Sequence, residues 1–151
     1  MLRGADPSWV AAQTLIGEIA IKRRRIAEAE RIFRGALEHD RRAVEPLRRL
    51  VYILVLERRP ADARSVLRRL YSITRDPRHL ADCILIARIE ADVRDLSPEI
   101  EEYLHQAPED PWLRRACGLF LLSRGRPAEA LPHLEFLSTG GRSRRRRGRP
   151  G

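Results

Sequence analysis

The sequence predicts an all-α fold of about eight helices, and three observations support that prediction. Apolar residues recur at spacings of three and four, which places them on one side of a helix; Ala29, Ile32, Phe33 and Ala36 form the clearest set. A similar set returns about 34 residues later. Prolines stand where helices are expected to begin, as at Pro60 and Pro111, because the first turn does not need their missing N–H.

The apolar sets repeat along the chain. A shift of 34 positions leads from Ala29 to Ala63, and a further shift of 67, close to two such periods, leads to Ala130. The later sets are Ala63, Leu67 and Leu70, and then Ala130, Leu134 and Leu137. A period of about 34 residues with this helical content is typical of two-helix repeats stacked into a solenoid.

Start and stop signals divide the chain into four helix pairs. The first helix is expected from about Val10 to Arg23, after an Asp6-Pro7-Ser8 start, and the second ends near Asp40. Residues expected to face inward from the first helix are Leu15, Ile16, Ile19 and Ala20. The third pair is irregular: Ser97 is the predicted N-cap of the sixth helix, with Pro98 at its first position.

Composition fits one domain without a membrane segment. The longest apolar run, Leu50 to Leu56, is too short to span a bilayer, and the N-terminus lacks the apolar segment of a secretory signal. We therefore expect a cytoplasmic protein. Cys83 and Cys117 lie in apolar helical stretches and are expected to be small buried residues rather than a disulfide.

The net charge of +9 is unevenly distributed. Residues 41–69 hold nine arginines against three acids, and residues 90–110 hold eight acids against Arg94 alone. Six further arginines lie in the last ten residues. The molecule is thus expected to be basic early and acidic in its third quarter, which permits contact between the basic and acidic regions of two copies.

The repeats resemble the tetratricopeptide repeat (TPR) family over roughly residues 10–137. The residues that carry the resemblance are Gly17, Ala29, Phe33 and Ala36 in the first repeat, and Gly118, Gly125, Ala130 and Leu134 in the fourth. Two aromatic positions of the family hold Gln13 and Ala20 instead. The resemblance implies a right-handed solenoid of antiparallel helical hairpins at residues 9–138, after an N-terminal extension (1–8). The Arg/Gly-rich tail (139–151) is expected to be disordered because its composition is of low complexity.

The resemblance also implies a concave groove lined by the first helix of each pair, which binds a partner peptide or helix. The repeat phase places nine candidate partner-binding residues there: Glu18, Arg48, Tyr52, Val55, Asp82, Ile86, Trp112, Arg115 and Leu119. Tyrosine, tryptophan and arginine are enriched in binding hot spots. The alternative is that the apolar members only pack helix against helix. The groove lacks the Lys and Asn lattice with which some family members bind C-terminal carboxylates.

The tail offers a rival function, nucleic-acid binding. Its Arg-Gly-Arg-Pro segment, residues 147–150, resembles an AT-hook, which lies in the minor groove of AT-rich DNA. The tail residues that would bind nucleic acid are Arg145, Arg146, Arg147 and Arg149, together with the arginines of residues 41–69. The same tetrapeptide occurs at residues 124–127, in an expected turn between helices, so it carries little specificity.

The last helix is expected to leave an apolar edge open, at Leu131, Leu134 and Leu137, because no polar capping helix follows it. Self-association through that edge, or membership of a longer array, is the expected consequence. Catalytic motifs are lacking: the histidines are scattered, and His79 with Cys83 has no second ligand pair. We therefore expect no enzyme activity, no cofactor and no metal.

Overall fold

The computed structural model describes residues 6–90 and 95–140, and within them it contains eight α-helices and no strand. The helices are α1 (Pro7–Lys22), α2 (Ile26–His39), α3 (Val44–Leu56), α4 (Pro60–Thr74), α5 (Arg78–Ala87), α6 (Ser97–Gln106), α7 (Pro111–Ser123) and α8 (Pro127–Ser138). The predicted all-α fold with eight helices is therefore confirmed. Among these described helices, none is both long and apolar enough to cross a membrane.

The chain divides into two compact units, which join in sequence between Arg75 and Asp76. In the first unit, α1 packs on α2, α2 on α3 and α3 on α4, and α1 also touches α3. In the second unit, α7 packs on both α8 and α5, and α6 makes a smaller contact with α7. Three of the four predicted helix pairs are thus closely packed, whereas α5 packs on α7 rather than closely on α6 within the described residues.

The turns that follow α1, α3 and α7 have the same backbone design. Each contains one residue with positive φ at the same repeat position: Arg24 (59°), Arg58 (55°) and Gly125 (70°). In each, the next backbone N–H donates to a carbonyl five residues earlier: Arg25 to Ala20 at 2.9 Å, Arg59 to Leu54 at 2.8 Å and Arg126 to Leu121 at 3.0 Å. This left-handed ending satisfies carbonyls that the helix leaves free and fixes the direction in which the next helix starts.

A glycine contact also recurs, at a spacing of 101 residues. A Cβ placed on Gly17 would lie 2.5 Å from Phe33 Cε1, and one on Gly118 would lie 2.7 Å from Leu134 Cδ2. Both glycines lie in the first helix of a pair, and both large side chains lie in the second. The missing side chain is therefore what lets α1 approach α2, and α7 approach α8, this closely.

The predicted core positions of the second helices are largely confirmed. Side chains that are at most 2% exposed include Ala29, Phe33, Ala36, Ala63, Leu67, Leu70 and Ala130. Leu134 and Leu137 are only half-buried. Cys83 and Cys117 are free and buried, as predicted, and burial raises the pKa of the Cys117 thiol to about 12.

The prediction for α1 is largely wrong. Leu15, Ile16 and Ile19 are exposed, at 61%, 47% and 49%, and of the four predicted inward residues only Ala20 is buried. The buried side of α1 holds Val10, Thr14, Gly17 and Ala20 instead. Small residues lie there because the ring of Phe33 fills the space between α1 and α2. Thr14 is accommodated because its hydroxyl donates to the Val10 carbonyl oxygen at 2.8 Å.

Two predicted helix starts are confirmed and one is corrected. Asp6 and Asp110 cap α1 and α7, with carboxylate oxygens that accept from the backbone N–H groups of Ser8 at 2.9 Å and Leu113 at 2.8 Å. For α6, the N-cap is Leu96 rather than Ser97. Asp95 accepts from both the backbone N–H and the hydroxyl of Ser97, so Ser97 serves as the first helical residue.

Candidate partner-binding faces

The first candidate site lies on one side of α3, which we name the α3 face: Glu45, Arg48, Tyr52 and Val55. Their spacings of three, four and three place them together along the helix. Tyr52 is 52% exposed and Val55 36% exposed, and Arg48 is also exposed. The structure therefore keeps all three predicted α3 residues at the surface, where an aromatic ring and an aliphatic side chain lie beside a guanidinium.

A cleft of about 440 Å³ adjoins this face, between the N-terminal part of α3 and one side of α1. We name it the α1–α3 cleft. Its lining residues are Pro7, Val10, Ala11, Thr14, Leu15, Glu18, Asp40, Ala43, Val44, Glu45 and Pro46. Most of these side chains are apolar, and three carboxylates lie among them. The cleft can therefore receive an apolar side chain and also offers acceptors to a neighbouring donor.

Ion pairs hold some of the charged residues of this region. The Arg49 guanidinium of α3 forms an ion pair with the Glu18 carboxylate of α1, at 2.7 Å, so the predicted groove residue Glu18 takes part in the contact between the two helices. The Arg48 guanidinium lies 3.5 Å from the Glu45 carboxylate, with both side chains more than half exposed. Exposed pairs of this kind are weak, so a partner's charged group can replace either member.

The second unit carries the other predicted residues, on α5 and α7, which pack against each other. Trp112 is 53% exposed, and Asp82 and Arg115 are exposed as well. Ile86 and Leu119 are half-buried. We name these five residues the α5–α7 face. Desolvation by surrounding groups raises the pKa of the Asp82 carboxyl above its ordinary value.

Sequence reasoning missed several residues that shape these surfaces. Leu15 lines the α1–α3 cleft, although the apolar pattern of α1 placed it in the core. Its position three residues before Glu18, on the same side of the helix, is the signal that indicates the cleft. In the second unit, Arg114 rather than Arg115 connects α7 to α8, since its guanidinium contacts His133 Nδ1 at 3.2 Å and lies over the Phe136 ring.

Basic residues of the rival hypothesis also come together. Arg41, Arg42 and Arg69, from the α2–α3 connection and from α4, line a shallow depression with Ser72 and Ile73. The Arg69 guanidinium donates to the Arg41 carbonyl oxygen at 2.6 Å. The four tail residues Arg145, Arg146, Arg147 and Arg149 lie outside the described residues. In the described part of the chain, no group of three or more His, Cys, Asp and Glu side chains is arranged to hold a metal ion.

The comparisons with known proteins assign neither a family nor a function to this chain. No protein-family model matches the chain. A search of curated proteins likewise finds no match.

Proposed function

We propose that this chain is a non-catalytic, TPR-like scaffold that binds a partner peptide or helix through the exposed sides of the first helices of its pairs. Three recurring features support a TPR-like repeat: the left-handed turn residue, the glycine contact and a bridging arginine. Arg59 donates to Glu30 at 2.9 Å, 29 residues earlier, and Arg126 contacts the Ser97 hydroxyl at 3.4 Å over the same interval. Repeats in phase favour a right-handed solenoid with a groove along its first helices.

The observation that carries the proposal is the exposure of Tyr52 and Val55 on the α3 face, whose first residue, Glu45, also lines the α1–α3 cleft. Large apolar side chains normally gain about 1.5–3 kcal/mol from burial. Here Tyr52 is half exposed, although the residues next to it, Ile53 and Leu54, are fully buried. A partner with an apolar side chain for the cleft and a carboxylate for Arg48 would bury Tyr52 and gain from both contacts.

The two free, buried thiols favour a reducing compartment, so we place the scaffold in the cytoplasm.

A selection from a displayed library of random peptides, with the whole chain as bait, tests this function. We expect selected peptides to lose binding at least tenfold to the double variant Arg48→Ala/Tyr52→Ala, while the unfolding midpoint changes by about 1 °C or less because both side chains are exposed. Arg68→Ala/Tyr71→Ala, which removes the same residue types from α4, is the matched control. Peptides that bind both variants equally well would refute the α3 face as the site.

Nucleic-acid binding is the second candidate, and the clustering of Arg41, Arg42 and Arg69 favours it. Titration of a DNA duplex in rising salt, with the whole chain and with a chain ending at residue 141, separates the two functions. Affinity that persists without the tail and is lost in Arg41→Ala/Arg42→Ala/Arg69→Ala would support nucleic-acid binding by the first unit. Affinity that disappears at physiological salt in every version would leave the scaffold as the function.

A further inference from the structure

One side of α1 is more apolar than an exposed helix surface requires. Ile16 and Ile19 are about half exposed, and Leu15 is 61% exposed. The repeat phase shows how unusual this is. The positions equivalent to Ile16 are Leu50 in α3 and Cys117 in α7, and those equivalent to Ile19 are Ile53 and Phe120; all four are at most 2% exposed. Ile16 and Ile19 are therefore apolar, like the residues that contact the neighbouring repeat in α3 and α7, but they remain exposed.

The α2–α3 contact shows what covers this position elsewhere in the first unit. Phe33 of α2 and Ile53 of α3 belong to one buried cluster. Beside them, the Glu30 carboxylate of α2 accepts hydrogen bonds from Arg59, in the turn that follows α3. Residues 30 and 33 of the second helix thus face the first helix of the next pair. A helix that covers Ile16 and Ile19 in the same way must carry apolar or complementary residues at the positions equivalent to 30 and 33.

Helix α8 presents such residues. At the spacing of 101 residues, Leu134 is equivalent to Phe33 and Leu131 is equivalent to Glu30. Leu131 is 53% exposed, and Leu134 is half-buried against Gly118. Where α2 carries an ion-paired carboxylate, α8 therefore carries an exposed leucine. That replacement favours an apolar partner such as Ile19 over an arginine.

The charges of the helical parts of the two units differ in sign. Residues 1–75 have seventeen Lys and Arg against nine Asp and Glu, a net charge of +8. Residues 76–140 have seven Arg against twelve Asp and Glu, a net charge of −5, and the six arginines of residues 142–149 bring the whole second unit to +1. Opposite charges therefore meet where the helices of the second unit, rather than its C-terminal arginines, approach the first unit of another copy.

We propose that the chain associates head to tail, with α8 of one copy packed on α1 of the next, so that Leu131 and Leu134 cover Ile16 and Ile19. The contact repeats the α2–α3 arrangement between molecules. It uses two different surfaces and is therefore heterologous. Further copies can add to either end, which gives a closed ring or an open chain of molecules. It does not involve the α3 face, so either proposal can fail alone.

Sedimentation velocity across a concentration series tests the contact. The wild-type mass should rise with concentration above the 17.4 kDa of one chain. Ile16→Lys and Leu131→Lys should each remain at the monomer mass, because each places an ammonium group in the apolar contact. At position 131 this group also faces Arg25, which the 34-residue repeat makes equivalent to Arg59. Leu56→Lys alters a side chain of similar exposure on α3 and should associate like wild type. Circular dichroism should show equal helix content in all four proteins.

Mixing the two monomeric variants gives the decisive result. Ile16→Lys keeps an intact α8 surface and Leu131→Lys keeps an intact α1 surface, so the mixture should form a complex of two chains and no larger species. Each of three outcomes would overturn the proposal: a wild-type chain that stays monomeric at every concentration, association that survives either single substitution, or a mixture that forms no complex. Survival in Ile16→Lys would indicate contact between two α8 edges, and survival in Leu131→Lys contact between two α1 helices.

Discussion

The α1–α2 and α7–α8 pairs are built alike but differ in what lies beyond them. In both, a glycine on the first helix meets a large side chain on the second. Phe33 is fully buried, because it lies in one cluster with Ala20 of α1 and Ile53 of α3. Leu134 is only half-buried. The contact inside a pair therefore brings the two helices together, whereas the next helix along the chain completes the burial.

The α5–α6 segment shows what happens when the pattern changes. The interval of 67 residues between Arg59 and Arg126 makes Ile100 equivalent to Phe33 and Tyr103 equivalent to Ala36. Both residues of α6 are buried. Leu70 fills the same position in the closely packed α3–α4 pair, so residue size does not separate α5 from α6. The three closely packed pairs are each joined by three residues, whereas nine residues lie between Ala87 of α5 and Ser97 of α6. A connection of that length does not hold two consecutive helices side by side, which gives a physical reason why α5 packs on α7 instead.

The largest difference between the two similar pairs is expected from alanine at the contact glycines. Gly17→Ala should destabilise the protein by about 2 kcal/mol, because the new methyl group meets a rigid, fully buried ring and overpacking outweighs the helix propensity of alanine. Gly118→Ala should cost less than about 1 kcal/mol, because Leu134 is half-buried and can change rotamer. Urea unfolding measures both, and equal losses would contradict the role assigned to the buried ring.

The turns differ next, since the same left-handed position holds Arg24 in the α1–α2 pair, Arg58 in the α3–α4 pair and Gly125 in the α7–α8 pair. Arg58→Gly should stabilise the protein by about 0.5–1 kcal/mol, because glycine adopts positive φ without a steric penalty. Gly125→Ala should destabilise it by about 1 kcal/mol for the same reason. Thermal unfolding at neutral pH gives both values. A destabilised Arg58→Gly would mean that the Arg58 side chain makes a contact worth more than the backbone strain.

The sequence was sufficient for the helices and for the buried residues of α2 and α4, because a 34-residue repeat and helical spacing identify them directly. It was insufficient for α1. Leu15, Ile16 and Ile19 have the composition of core residues, and their exposure depends on which helices pack around α1, which spacing alone does not reveal. The α5–α6 departure has a different origin, the nine-residue connection between those two helices, which the spacing of apolar residues does not record.

The candidate faces were predicted in part for the same reason. Tyr52, Trp112 and Arg115 are exposed as the repeat phase requires. Glu18, in contrast, pairs with Arg49, and Ile86 and Leu119 lie half-buried on α5 and α7. The repeat phase specifies the side of a helix on which a residue lies. It does not specify whether that residue is already paired with a guanidinium or covered by a neighbouring side chain.

The smallest expected effect compares Glu30 with its counterpart Ser97, the residues that Arg59 and Arg126 reach in the two units. Burial raises the pKa of the Glu30 carboxyl, but hydrogen bonds from Arg34 and Arg59 outweigh it, so the pKa lies below its ordinary value. A carboxyl with a lowered folded pKa stabilises the protein fully above its unfolded pKa, about 4.3, and loses that contribution as the pH falls through the folded pKa.

Glu30→Gln should therefore destabilise the protein at pH 7 and progressively less toward pH 3, whereas Ser97→Ala should have the same small effect throughout, because serine does not titrate in this range. Denaturant unfolding of both variants and wild type at several pH values gives the comparison. A Glu30→Gln loss that does not depend on pH would show that the amide disturbs packing. The carboxylate charge would then contribute nothing to the contact between α2 and the turn after α3, and the bridging arginine would act in both units as a hydrogen-bond donor alone.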